Sequence, residues 1–383
     1  MINVPITVEL IRGAAEIEAT ERGLRPHRLP AWARRQCPDP QLMMVESQPS
    51  GVRLAFTTAA RNVEVVTHPY RVGFRGAVRP RGCVDLVVDD ELIAGDRLSG
   101  GDLAETDLQS GSTVFHEGPS HTSVFSGLRD GEKNVEIWLP HNESVELVEL
   151  RTDAPVAPTQ TGRPVWLHHG SSISQGSNAT SPTRIWPAVA ARSAGVELMN
   201  LGLGGSALVD QFAARVMRDT PADFISVKLG INVVNFDGMR PRTFESAVHG
   251  FLDTIRDGHE ATPLMLISPI FCGIHEDTPG PCAVDPSTFA TGQVAYTATG
   301  EQDDVGRLTL RIIRDAMKAV AGSRADDPNL HYFDGLELYG EADAAEHPLP
   351  DALHPDTDTH HMIGRRFVER AFREGGPFGR PTV

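Results

Sequence analysis

Apolar residues along this chain follow two different rhythms, and the change falls near residue 155. Before it, short β-branched and often alternating segments recur at 52–57, 63–67, 83–89, 113–115, 123–125, 134–139 and 145–150, with Gly, Pro, Asp and Asn between them. Closely spaced strands without intervening helices bury one face against a second sheet, so this half is expected to be an antiparallel β-sandwich of jelly-roll type. After it, apolar runs at 164–167, 196–199, 224–227 and 264–268 alternate with helical stretches at 186–193, 209–218, 244–259 and 307–321. Such alternation implies an α/β domain, a parallel sheet with helices on both faces and a ligand crevice at the carboxyl ends of its strands. The stretch 152–164, rich in Pro and small polar residues, reads as a linker. The expected domains are therefore 1–155, opened by a helix over 6–22 where Val8, Ile11, Ala14 and Ile17 fall at helical spacing, and 156–383.

The second half places reactive side chains where such a crevice would lie. The run 164–167 leads into Gly170-Ser171-Ser172, a strand entering a tight turn that can push the Ser172 hydroxyl out of the sheet. A serine hydroxyl is a poor nucleophile at neutral pH unless a histidine takes its proton and a carboxylate holds that imidazole. Asp351 and His354, three residues apart, can sit on one side of a single turn and supply both. Two further strand ends open into loops that carry glycine, offering the backbone N–H of Gly205 and the side-chain amide of Asn232. Donors of this kind receive the oxyanion of a tetrahedral intermediate, and losing one typically costs about 3 kcal/mol of barrier.

Together these blocks resemble the SGNH, or GDSL-like, hydrolases. Gly170-Ser171-Ser172-Ile173 is similar to the GDSL block, Gly205 to the glycine block, Gly230-x-Asn232 to the GxND block and Asp351-x-x-His354 to the DxxH block, all in the right order. The resemblance covers residues 163–367. It implies a flavodoxin-like three-layer fold, Ser172 as nucleophile, His354 as general base and then acid, and Asp351 orienting that imidazole. It also implies an oxyanion hole made by the N–H groups of Ser172 and Gly205 and the amide of Asn232. Two positions depart from the pattern: Ser171 and Val233 stand where the family usually carries aspartate. Neither handles the proton or the oxyanion, so the departures bear on how the loops are braced and which acyl groups fit. Asp351→Asn is expected to cost less than Ser172→Ala if a backbone carbonyl also holds His354.

The stretch 269–300 is long, rich in Pro, Gly and Thr, and without periodicity, which in a compact domain marks a functional or disordered loop. Because it follows a strand it should emerge on the crevice rim, and it is read as a substrate-covering lid with Phe271, His275 and Glu276 as its substrate contacts. His168, His169, His360 and His361 invite a metal reading, but neighbouring residues of a strand point to opposite faces, and no metal is expected. Trp138, Trp166 and Trp186 are assigned to packing rather than to a sugar platform.

A formal charge of −16, from 51 acidic against 35 basic residues, argues against nucleic acid or an anionic membrane surface as partner. The start, MINVPITVELIRG, lacks a basic segment followed by a long apolar stretch, so neither a signal peptide nor a membrane span is expected and a cytoplasmic setting is. Cys37, Cys83, Cys272 and Cys282 fall in no metal-ligand pattern and are expected to be free thiols, with a Cys272–Cys282 bridge the alternative in an oxidising compartment. Asn142 and Asn178 head formal glycosylation sequons that carry no meaning without secretion.

Three functions are compatible with these residues. One is an esterase in which water releases an acyl-Ser172. Another is an O-acyltransferase that delivers the same acyl group to the alcohol of a small natural product. The third is a catalytically silent carbohydrate- or ligand-binding protein. No cofactor is expected, an acyl-coenzyme A entering only as a donor substrate. The partners are a small-molecule ester or acyl donor and an alcohol acceptor, with homo-oligomerisation left open. The first domain is expected to supply a wall of the acceptor pocket.

Overall fold

The computed structural model describes residues 1–76, 80–107, 110–159, 161–291, 294–301 and 305–379. The chain forms two compact units whose segments interleave: Met1–Ala31, Met43–Gly162 and Thr180–Arg184 make one, and Trp32–Leu42, Arg163–Ala179 and Ile185–Val383 make the other.

The first unit is a sandwich of two sheets. One has eight strands in the order Thr113–His116, Asp102–Thr106, Asn62–Phe74, Ser144–Thr152, Leu24–His27, Glu16–Ala19, with Ile2–Val4 beside Ser144–Thr152 and His121–Ser126 beside Asn62–Phe74. The other runs Val156–Pro158, Arg53–Thr58, Lys133–Trp138, Cys83–Val88, Glu91–Arg97, with Ile11–Arg12 beside Arg53–Thr58. Pairing is antiparallel except between Asn62–Phe74 and Asp102–Thr106. Alternate residues of both sheets turn inward, so Val63, Val65, Val145 and Leu147 of one share a core with Leu54, Phe56, Leu86 and Ile137 of the other.

Two expectations need correction here. Residues 6–22 form no helix: a short 3-10 turn, Val8–Leu10, is followed by the strands Ile11–Arg12 and Glu16–Ala19. The three-residue spacing of Val8, Ile11, Ala14 and Ile17 does not describe one buried face, since Val8 is exposed while the neighbours Leu10 and Ile11 are both buried in the sandwich core. The stretch 152–164 is not simply a tether either, because Val156–Pro158 pairs with Arg53–Thr58 as an edge strand. Residue 160 of that stretch lies outside the described residues.

The second unit holds a five-stranded parallel sheet in the order Glu197–Gly202, Val165–Gly170, Phe224–Lys228, Leu264–Ile267, Leu330–Phe333. Numbered along the chain this is 2-1-3-4-5, the flavodoxin-like arrangement, whose switch point lies between the first and third strands. Side-chain alternation in the first strand shows the layering. His168 lies edge-on against Trp186 of the helix Trp186–Ala194, while His169 stacks on Phe251 of the helix Pro241–Arg256. Trp166 stacks on Phe367 of the helix Thr357–Ala371, the neighbour of Trp186–Ala194. Trp166 and Trp186 are fully buried in this packing, and Trp138 is buried in the sandwich. The helix expected over 209–218 begins at Gln211, because Val209 adopts a left-handed φ of 62°, a conformation that a β-branched residue cannot carry into a helix.

Candidate active site

The carboxyl ends of the first and third strands place the reactive groups. Ser172 follows the first strand by two residues and opens the four-residue helix Ser172–Gln175. That helix lies directly on the second strand: a Cβ on Gly202 would stand 2.3 Å from the backbone nitrogen of Gln175, so only glycine lets the nucleophile turn sit there. His168 braces the turn from below, with Nε2 2.8 Å from Ser174 Oγ and Nδ1 2.7 Å from Ser226 Oγ. Burial holds His168 well below the usual imidazole range, so it serves as a neutral bracket.

From the far end of the chain, Asp351 and His354 reach the same point. His354 Nε2 lies 2.9 Å from Ser172 Oγ, and His354 Nδ1 lies 2.8 Å from Asp351 Oδ2. Asp351 is held by its own turn, Oδ1 accepting from the backbone N–H groups of Leu353 at 3.0 Å and His354 at 2.6 Å. Its Oδ2 also accepts from Asn178 Nδ2 at 3.0 Å. Burial raises the Asp351 carboxyl, but the His354 ring and the two backbone donors outweigh it and hold the group below the usual carboxylate range. Among the described residues no backbone carbonyl shares His354 Nδ1 with Asp351.

Three N–H donors face no acceptor among the described residues: the backbone N–H groups of Ser172 and Gly205 and the side-chain amide of Asn232. Asn232 sits one residue into the helix Ile231–Phe236, and its Oδ1 accepts from the Ala207 N–H at 3.1 Å, which leaves its NH2 end as the free one. The turn into this helix requires Gly230, whose φ is 118° and whose missing Cβ would meet Ile313 Cγ2 at 2.5 Å. The two departures from the family pattern are both buried. Val233 joins the core, and the Ser171 hydroxyl finds no hydrogen-bond partner among the described residues.

An O–H held on an imidazole that is held on a carboxylate, beside free N–H donors, is what serine acyl transfer requires. The sandwich contains a second such chain, Ser99 Oγ to His121 Nδ1 at 2.9 Å and His121 Nε2 to Asp96 Oδ2 at 2.7 Å. It differs where the chemistry is decided. The Ser99 backbone N–H also donates to His121 Nδ1, at 3.3 Å, so the donor a nucleophile would offer to its own oxyanion is already occupied.

The structure does not bring Phe271, His275 and Glu276 to this hydrogen-bonded chain. His275 is fully buried with Nδ1 3.1 Å from the Thr278 carbonyl, and Glu276 is ion-paired with Arg314. Phe271 and Glu276 line a cavity of about 430 Å³ with Arg314 and Tyr332, and none of Ser172, Asp351 or His354 lines it. The stretch 269–300, apart from residues 292–293 outside the described set, instead carries a small antiparallel pair, Cys282–Val284 with Tyr296–Ala298. From this stretch Tyr296 touches the site, its ring meeting that of His354 edge-on at 5.5 Å and its N–H donating to the Asp351 carbonyl at 2.9 Å, and Cys272 Sγ donates to the Ala352 carbonyl of the same turn at 3.4 Å. A lone tyrosine in an aperiodic stretch carries no sequence signal for this. Asn178, visible in the sequence only as part of a sequon, is the other missed neighbour.

The four histidines weighed as metal ligands are engaged with the protein. His169 Nδ1 faces the Leu201 carbonyl at 2.8 Å, and His360 joins the Trp186 N–H to the Ser177 carbonyl. His361 likewise takes part in further contacts. All four cysteines are free.

A flavodoxin-like unit with a Ser–His–Asp chain at its switch point defines a class, the serine acylhydrolases and acyltransferases of α/β fold. This chain belongs to the GDSL-like lipase/acylhydrolase family, whose profile matches residues 169–362. Over both units it is similar to a salicylyl-acyltransferase, SsfX3, from a tetracycline biosynthetic pathway, at 27% identity and a TM-score of 0.77, covering 94% of this chain and 92% of that one. It shares its fold with a GDSL-like lipase from Bacteroides ovatus, at 19% identity and TM-score 0.64, covering 94% of this chain and 92% of that one. A family two carbohydrate esterase from Clostridium thermocellum has the same fold at 14% identity and TM-score 0.56, covering 84% of this chain and 91% of that one. No curated protein matches the chain by sequence.

Proposed function

We propose that the protein transfers an acyl group through an acyl-Ser172 intermediate to the alcohol of a small molecule. The observation that carries the reading is the continuous hydrogen-bonded chain from Ser172 Oγ through His354 to Asp351. In the first half, Ser172 Oγ attacks the carbonyl carbon of an ester or thioester while its proton passes to His354 Nε2. The oxyanion is received by the N–H groups of Ser172 and Gly205 and the Asn232 amide. Collapse expels the donor's alcohol or thiol, which takes the proton from His354. In the second half, His354 removes a proton from the acceptor hydroxyl, whose oxygen attacks the acyl carbon, and the proton returns to Ser172 as the product ester leaves. Coenzyme A thioesters enter this scheme as donors. The cytoplasm is the proposed setting, and the four free thiols suit a reducing compartment.

Transfer is placed ahead of hydrolysis because the likeness to the salicylyl-acyltransferase runs through both units at 27% identity. Hydrolysis is the second reading, favoured by the match to a lipase/acylhydrolase family. Time-resolved intact mass after adding a nitrophenyl ester or aliphatic and aromatic coenzyme A thioesters tests both. The wild type and Ser99→Ala should gain the acyl mass, and Ser172→Ala should not. An adduct that persists in water and clears on adding alcohols supports transfer. Rapid clearing in water supports hydrolysis, and no Ser172-dependent adduct or turnover with any donor removes the acyl-serine reading.

A further inference from the structure

The oxyanion hole depends on a peptide with little stiffness of its own. Gly204 and Gly205 are consecutive glycines, and no Cβ restricts the rotation of the peptide plane between them. In a trans peptide the carbonyl of one residue and the N–H of the next point in opposite directions, so whatever fixes the Gly204 carbonyl also aims the Gly205 N–H. Two glutamine side chains hold this segment. Gln175 Oε1 accepts from the Gly204 N–H at 2.8 Å, and Gln41 Nε2 donates to the Gly204 carbonyl at 2.9 Å. Gln41 also covers Gly205, where an added Cβ would stand 3.3 Å from its Nε2 and 3.5 Å from its Cγ.

Gln41 lies far from the four family blocks in the chain, but its segment, Trp32–Leu42, belongs to the same compact unit as Ser172. That segment is fastened by Arg215, whose guanidinium lies over the Trp32 ring at 4.4 Å and donates to Gln36 Oε1 at 3.2 Å. Gln41 itself is the second residue of the helix Pro40–Glu46, whose Leu42 N–H donates to Asp39 Oδ1 at 2.9 Å. The side chain that sets the Gly204 carbonyl is thus delivered on a pinned element.

We propose that Gln41 is a positioning residue for acyl transfer: by holding the Gly204 carbonyl it directs the Gly205 N–H at the oxyanion. The inference rests on the acyl-Ser172 reading. It predicts a defect confined to transition-state stabilisation, smaller than outright loss of a donor because the Gly205 N–H is still present but free to turn.

The test compares Gln41→Ala, Gln41→Glu and Gln41→Lys in the full chain, with Ser172→Ala as reference, on one acyl donor that the wild type turns over. Gln41→Ala and Gln41→Glu should lower kcat about 10- to 100-fold, less than the loss for a deleted oxyanion donor, with KM within about threefold and Tm nearly unchanged. A boronic acid that mimics the tetrahedral intermediate should lose affinity by a similar factor. Gln41→Lys, which keeps an N–H donor of similar reach, should recover most of the rate. If Gln41→Ala keeps kcat within twofold while Ser172→Ala is dead, the positioning role is wrong and the acyl-serine reading stands. Equal losses in Gln41→Ala and Gln41→Lys would also overturn it, since a packing defect does not discriminate by donor. A fully active Ser172→Ala would overturn both.

Discussion

Asp351 bears on the reaction through two separate jobs. It orients the His354 ring and it braces its own turn, because its two oxygens accept from the Leu353 and His354 N–H groups, the His354 ring and Asn178. Replacing it by Asn puts an amide N–H where one of these donors expects an acceptor, and no carbonyl stands in for it at His354 Nδ1 among the described residues. The milder outcome that a backbone carbonyl would have allowed does not apply, and Asp351→Asn is expected to lower kcat about 10³- to 10⁴-fold, close to the loss seen when asparagine replaces a catalytic aspartate and leaves the histidine in the wrong tautomer. Steady-state kinetics on the purified variant decides it; a loss of less than tenfold would mean that something else orients the ring. This residue-scale chemistry was readable in the sequence where it depended on short spacing. Asp351 and His354 are three apart, and Ser172 sits between a strand and a small-residue turn. Asn178, Tyr296 and Gln41 were not readable, because each reaches the site through a contact that no local pattern encodes.

Elements were legible where one face is buried against one partner. The segments 134–139 and 145–150 alternate because one side of each faces the sandwich core, and they appear as Lys133–Trp138 and Ser144–Thr152. Residues 6–22 misled because i, i+3 spacing also arises when a chain passes through a turn and two short strands, as at Ile11–Arg12 and Glu16–Ala19. The helix Thr357–Ala371 carries a consequence that hydrophobic periodicity alone would not reveal. Its His360 is fully buried, with Nε2 donating to the Ser177 carbonyl at 3.0 Å and Nδ1 accepting from the first N–H of the helix Trp186–Ala194 at 3.2 Å. Burial lowers His360 to about 4, against which the Ser177 hydrogen bond is the weaker influence. A histidine whose folded value lies below its unfolded value of about 6.5 binds its proton mainly in the unfolded chain. Its contribution is fully present above pH 6.5 and is lost progressively as pH falls towards 4, by on the order of 3 kcal/mol in all. Urea midpoints of the wild type should thus drop between pH 7 and pH 4.5, and His360→Gln should show a shallower drop from a lower starting stability. Parallel curves for the two proteins would show that His360 is not the group responsible.

At the scale of the whole molecule, a change of hydrophobic rhythm near residue 155 reports where strand-only texture ends, but it cannot report which short segments are exchanged. The first unit runs on to Gly162 and takes back Thr180–Arg184, while Trp32–Leu42 clusters with the second. Such exchanges rest on a few polar contacts rather than on periodicity. The returning segment is held by one carboxylate in the strand Cys83–Val88. Asp85 Oδ2 accepts from Ser181 Oγ at 2.6 Å, from the Thr183 N–H at 3.0 Å and from Thr183 Oγ1 at 2.5 Å. Asp85, Ser181 and Thr183 are all buried, so water cannot readily replace the acceptor if it is removed. Asp85→Ala is therefore expected to destabilise the protein by about 4 kcal/mol, and Asp85→Asn, which keeps one acceptor oxygen, by about half of that. Because Ser181 follows Ser172 by nine residues, the loosened segment should also lower kcat in Asp85→Ala below its melting range, with Asp85→Asn between it and the wild type. Chemical denaturation and kinetics on the same preparations check both parts. An Asp85→Ala protein within 1 kcal/mol of the wild type would mean that the segment is held by contacts other than those to Asp85, and that this carboxylate is not what returns the chain to the first unit.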